Sequence, residues 1–89
     1  MYRITIHCDG VPASAGAQAA RDLAEALRRD YPHERLVACS FLDGTLRIVV
    51  ENDYDAAGLN LMDEVSDLVS ANLGPFDGDL KLVSVETLR

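Results

Sequence analysis

The sequence predicts an α+β sandwich with the element order β-α-β-β-α-β, and three observations carry that reading. An alternating segment, YRITIHC, occupies residues 2–8. Two apolar runs, RLVACSFL and TLRIVVE, flank Asp43-Gly44, a dipeptide suited to a two-residue hairpin turn. Two stretches with helical apolar spacing lie between the strands, one closed by Tyr31-Pro32 and the other by Gly74-Pro75. This order most simply closes as a ferredoxin-like sandwich, a four-stranded antiparallel sheet ordered 4-1-3-2 with two helices on one face. At 89 residues the chain is expected to form a single domain, 1–89.

In the first strand Tyr2, Ile4, Ile6 and Cys8 share one face, and Arg3, Thr5 and His7 share the other. Asp9-Gly10-Val11-Pro12 interrupts it, and Ser14 is placed to cap a helix running to about Asp30. Gly16, Ala20, Leu23, Ala24, Leu27 and Tyr31 form the expected inner stripe, with Arg21–Glu25 and Glu25–Arg29 as exposed i,i+4 pairs. The Asp43-Gly44 turn pairs Phe41 with Leu46, Cys39 with Ile48 and Val37 with Val50, an apolar set on one face. Leu36, Ala38, Ser40 and Leu42 then fall on the other face. The second helix is expected to begin at Asn52 or Asp53. It buries Leu61, Val65, Leu68, Val69 and Met62, exposes Asn60, Asp63, Asp67 and Ser70, and leaves Glu64 at the margin. In the last strand, LKLVSVETL, apolar residues occur on both parities, which calls for a bulge or two buried faces.

Composition limits the function classes. With 48% apolar and 26% charged residues the chain is an ordinary globule. No apolar run reaches the roughly 18 residues that span a bilayer, and the N-terminal segment is too short and polar for a signal peptide. Two cysteines make no disulfide framework, so a reducing cytoplasm is the expected compartment. The net charge is −7 and it is unevenly placed: residues 1–42 hold five acids and five bases, residues 43–89 ten acids and three bases. That excess argues against direct nucleic-acid binding, which needs clustered Lys and Arg, and against anionic membranes.

The topology gathers Asp9, Asp43, Asp77 and Asp79 near His7 at one end of the sheet, and Asp53, Asp55 and His33 at the other. Four carboxylates would suit a hard divalent cation, yet Asp43-Gly44 and Asp77-Gly78-Asp79 are also ordinary turn chemistry. Turn chemistry is preferred, so no metal and no cofactor are expected. Heavy-metal-associated domains of this fold carry C-x-x-C after the first strand. Here Cys8-Asp9-Gly10-Val11 lacks the second thiol, and Cys39 should lie two strands away, beyond disulfide reach. Adjacent strand residues such as His7 and Cys8 point to opposite faces and cannot act as nucleophile and base. His33 is expected in solvent. The segment DGVPASAG lacks the phosphate-loop patterns. It resembles the first turn of ACT-type regulatory domains, which implies a small metabolite bound between paired copies. Acylphosphatases share the fold but need an Arg in this loop, and the first one after the strand is Arg21.

These readings lead to a non-enzymatic, acidic protein-interaction module with a basic protein partner, acting as an inhibitor, an immunity protein or a nucleic-acid mimic. Its expected partner-binding residues are Asn60, Asp63, Glu64, Asp67, Asp53 and Asp55. Leu36, Ala38, Leu42, Val49 and Leu82 are the expected self-association patch of a homodimer, on the open sheet face. The alternative is an ACT-like metabolite sensor.

Overall fold

The computed structural model describes residues 1–72 and 78–88 and has the predicted order: β1 (Tyr2–Asp9), α1 (Gly16–Asp30), β2 (Arg35–Leu42), β3 (Thr45–Asn52), α2 (Leu59–Asn72) and β4 (Asp79–Thr87). The sheet order is β2-β3-β1-β4, all antiparallel, which is the ferredoxin-like arrangement. The Gly74-Pro75 stop and Asp77 lie outside the described residues.

The central pair sets the core. Ile4 faces Val50, Ile6 faces Ile48 and Cys8 faces Leu46, and all six are fully buried beneath the helices. Against them α1 packs Ala19, Ala20, Leu23, Ala26 and Leu27, and α2 packs Leu61, Val65 and Leu68. Ala19 and Ala26 therefore join the expected α1 stripe, while Ala24 stays half-buried. The hairpin turn has Asp43 at φ 50 and Gly44 at φ 81, both left-handed as a type I′ turn requires. Gly16 begins α1 directly over the Phe41 ring, where a Cβ would collide with the ring carbons.

Two bulges decide the faces of the edge strands. In β2, Leu36 pairs with Val50 while Ala38 pairs with Val49, so Val37 is the extra residue and is 49% exposed. The expected Val37–Val50 pairing is thus corrected to Leu36–Val50, and Leu36 turns to pack on the core instead of lining the open face. In β4 the register shifts at Val83, which places Leu80, Leu82 and Val85 opposite the core residues Cys8, Ile6 and Ile4. The mixed parity read from the sequence is this bulge. It also corrects Leu82, which belongs to the helix-bearing side and approaches Gly58.

Three local expectations change. Ala15, not Ser14, occupies the α1 N-cap, without a side-chain cap bond, because a turn closed by Ala15 N–H to Pro12 C=O delays the helix. Arg21 binds Gln18 and Arg29 binds Asp30, so the two i,i+4 pairs with Glu25 do not form. Asn52 ends β3 rather than starting α2, which begins after Gly58 at φ 75.

Candidate functional site

The strongest cluster of functional side chains sits where the α1–β2 loop, the β3–α2 loop and the first turns of α2 meet. The loop after Tyr31 delivers His33 and Glu34 to the start of β2. The Glu34 side chain has no solvent exposure. It accepts hydrogen bonds from Asn52 Nδ2 at 3.1 Å and from the Tyr54 hydroxyl at 3.0 Å. Opposite it, α2 turns Glu64 inward, leaving that side chain 16% exposed. His33 Nε2 lies 3.2 Å from Glu64 Oε2 and 3.9 Å from Glu34 Oε1. Tyr31 and Tyr54 flank the imidazole, each with its ring centre 6.0 Å away.

The electrostatics of the pole follow from two acids sharing a poorly hydrated space. Burial, then the facing Glu34, push the Glu64 carboxyl up to about 7, with His33 opposing the rise. One oxygen, Glu64 Oε1, is buried and has no hydrogen-bond partner. Burial and the carboxylates of Glu34, Glu64 and Asp55 hold the Tyr54 phenol well above its usual range. Burial and the Asp67, Glu64 and Asp30 carboxylates raise Tyr31 as well.

The expected partner-binding residues separate into two sets. Asp53, Asn60, Asp63 and Asp67 are exposed, and none of these three acids is ion-paired among the described residues. Asp55 is corrected. It is 3% exposed, and its carboxylate accepts the Asn60 and Leu61 N–H groups at 3.3 and 2.9 Å, closing the α2 N-terminus. Asn52 Oδ1 in turn accepts the Asp55 N–H and steers that loop. Glu64 is likewise corrected from a surface acid to a member of the buried cluster, and His33 gains the carboxylate partners its spacing did not reveal.

The self-association set also disperses. Only Ala38, Leu42 and Val49 remain on the open sheet face, and Val49 is 3% exposed. Polar rows cover the rest of that face: Arg47, His7 and Lys81 are cross-strand neighbours, and Arg3 binds Glu51 at 2.7 Å. At the far end, Asp9 accepts from Thr45 at 2.7 Å and pairs with Lys81, which also reaches Asp79. These contacts use Asp9 and Asp79, two of the four carboxylates expected near His7.

Both thiols are free. Cys8 is fully buried. Cys39 lies beside a shallow groove of about 450 Å³ formed with Ala20, Arg21, Ala24, Glu25 and Arg28. It donates to the Ala20 carbonyl, and burial pushes it up to about 11.

A sign of Glu64 was present in the sequence: Leu61, Glu64, Val65 and Leu68 follow the i, i+3, i+4, i+7 spacing of a buried stripe. Glu34 was hidden by the β2 bulge, since it shares parity with Leu36 and an unbulged strand sends both outward. No helix among the described residues is long and apolar enough to cross a membrane. Compared with known proteins, the chain gives no significant match to a protein family, a curated protein or a solved structure.

Proposed function

We propose that this chain is a small non-enzymatic interaction module, acting in a reducing cytoplasm, that docks a basic protein on the outward face of α2 and the loop before it. Asp53, Asn60, Asp63 and Asp67 form the docking surface. The observation that carries this reading is the unequal use of the acids. Glu51 is held by Arg3, Asp79 by Lys81 and Asp55 by backbone N–H groups. Asp53, Asp63 and Asp67, on α2 and the loop before it, have no ion-pair partner among the described residues, a property they share with the separate acids Glu25, Asp43 and Glu86. α2 itself contains no Lys or Arg, and the Lys and Arg among the described residues lie on the sheet and α1. An uncompensated anionic face speeds encounter with a cationic one and discourages acidic competitors. Inhibition of a protein with a basic groove, by carboxylates standing in for phosphates, is the sharper form of the proposal.

A metabolite seat at the β1–α1 turn has less support. The Val11 N–H is already bound to the Gly44 carbonyl at 3.0 Å, Val11 is buried, and Phe41 fills the space over Gly16.

The test compares the wild type with an Asp53→Asn/Asp63→Asn/Asp67→Asn variant in affinity capture from the native host at low and high salt. A basic protein retained by the wild type at low salt, and lost both at high salt and with the variant, is the expected result. An identical bound set for the variant and the wild type refutes docking through this face.

A further inference from the structure

We propose that His33, Glu34 and Glu64 bind one divalent transition-metal ion of the zinc class, through an imidazole nitrogen and two carboxylates. This goes beyond the docking reading, because it employs the buried groups of the pole rather than its exposed charges.

The geometry points there first. One donor atom from each of the three residues can be chosen so that all lie within 4.8 Å of one another. The 3.2 Å separation of His33 Nε2 and Glu64 Oε2 already matches the roughly 3.3 Å edge of a tetrahedron with bonds of about 2.0–2.1 Å. Glu34 Oε1 lies 3.9 Å from the same nitrogen, and the His33 side chain is half-exposed.

A second observation is independent of the donor count. Glu64 Oε1 is buried without a hydrogen-bond partner, beside a Glu34 side chain that is itself fully enclosed. Two carboxyl groups confined in this way cannot both keep their charge unless a proton or a cation lies between them. Among the described residues His33 is the one basic side chain within ion-pair reach of either, and it is 52% exposed. A divalent cation supplies the charge.

The surroundings fit as well. Asn52 and Tyr54 donate to Glu34 and fix its orientation, as outer partners of metal-binding carboxylates do. An imidazole donor selects the zinc class over Ca²⁺ and Mg²⁺, which favour oxygen alone. The half-exposed His33 keeps the cluster next to solvent, so a four-coordinate ion would complete its shell with water.

The experiment titrates EDTA-treated, dialysed protein with ZnCl₂ by calorimetry and thermal melting, with CaCl₂ and MgCl₂ in parallel. A single equivalent of Zn²⁺ should bind and raise Tm, with no effect from the other two ions at equal concentration. His33→Asn and Glu64→Gln should each weaken binding by roughly 100-fold or more while retaining the wild-type circular dichroism. Cys39→Ser should bind as the wild type does. Co²⁺ should give visible absorption bands that His33→Asn abolishes. Absence of Zn²⁺ binding at submillimolar concentration overturns the proposal and leaves a shared proton as the neutralising charge. Binding that survives both ligand variants, or is lost only with Cys39→Ser, overturns it too by placing the ion elsewhere.

Discussion

Replacing Glu64 by Gln in the metal-free protein should remove a pH-dependent weakness from the fold. Burial and the facing Glu34 raise the Glu64 carboxyl from an ordinary 4.5 to about 7, so the folded state binds this proton more tightly than the unfolded chain. The resulting stabilisation is full below about pH 4.5 and is lost as pH rises through about 7. At about 1.4 kcal/mol per pH unit of displacement, the full shift corresponds to about 3.5 kcal/mol, which solvent screening of this partly exposed residue reduces to about 2–3 kcal/mol. Gln preserves the shape but cannot ionise, so the variant should equal the wild type near pH 4.5 and exceed it by about 2–3 kcal/mol at pH 8. Urea unfolding at several pH values between these limits, with EDTA present throughout, measures the difference. Repulsion among the other acids affects both proteins, so only the gap between the two curves matters. Parallel curves, or a variant weaker than the wild type at pH 8, would refute the account of two carboxyl groups in one enclosed space.

Other outcomes follow from single contacts. Gly16→Ala drives a Cβ into the Phe41 ring and should cost about 1–3 kcal/mol in urea unfolding; Gly16→Ala combined with Phe41→Leu should recover part of it. Asp55→Ala removes the acceptor of two α2 N–H groups, so stability should fall by about 1–2 kcal/mol, with faster amide exchange at Asn60 and Leu61. Cys39, raised from 9.0 to about 11, should react with a thiol reagent at pH 8 about 10-fold more slowly than an ordinary thiol, the loss of thiolate being partly offset by its greater nucleophilicity. Cys8, with no exposed surface, should react only when the protein unfolds.

Element order, sheet order and hairpin turn were legible because each rests on local chemistry. Alternation makes β1 a strand whatever surrounds it, and Asp43-Gly44 tolerates positive φ where other pairs would strain. Leu61, Val65 and Leu68 were correctly read as the inner side of α2. Errors began where one inserted residue changed the outcome. The Val37 bulge reverses Leu36 relative to a regular strand, because side chains alternate with period two and a single slip exchanges the faces. The same reversal concealed Glu34. Asp55 differs for another reason: the helix starts at Leu59 and not at Asn52 or Asp53, so the carboxylate lies in a loop that folds back and presents it to the free α2 N–H groups.

Sequence alone determined the sandwich, the register of its central hairpin near the turn and the excess of acid in its second half, since all three depend on residue type and short spacing. Tertiary structure alone decided which acids remain available. It gave some to arginine, lysine or backbone partners, left Asp53, Asp63 and Asp67 in water, and enclosed Glu34 and Glu64 beside His33. That division depends on distances between segments about 30 residues apart in sequence (His33 to Glu64, |i−j| of 31). Coulombic and desolvation terms change within a few ångströms, a separation that no local pattern encodes.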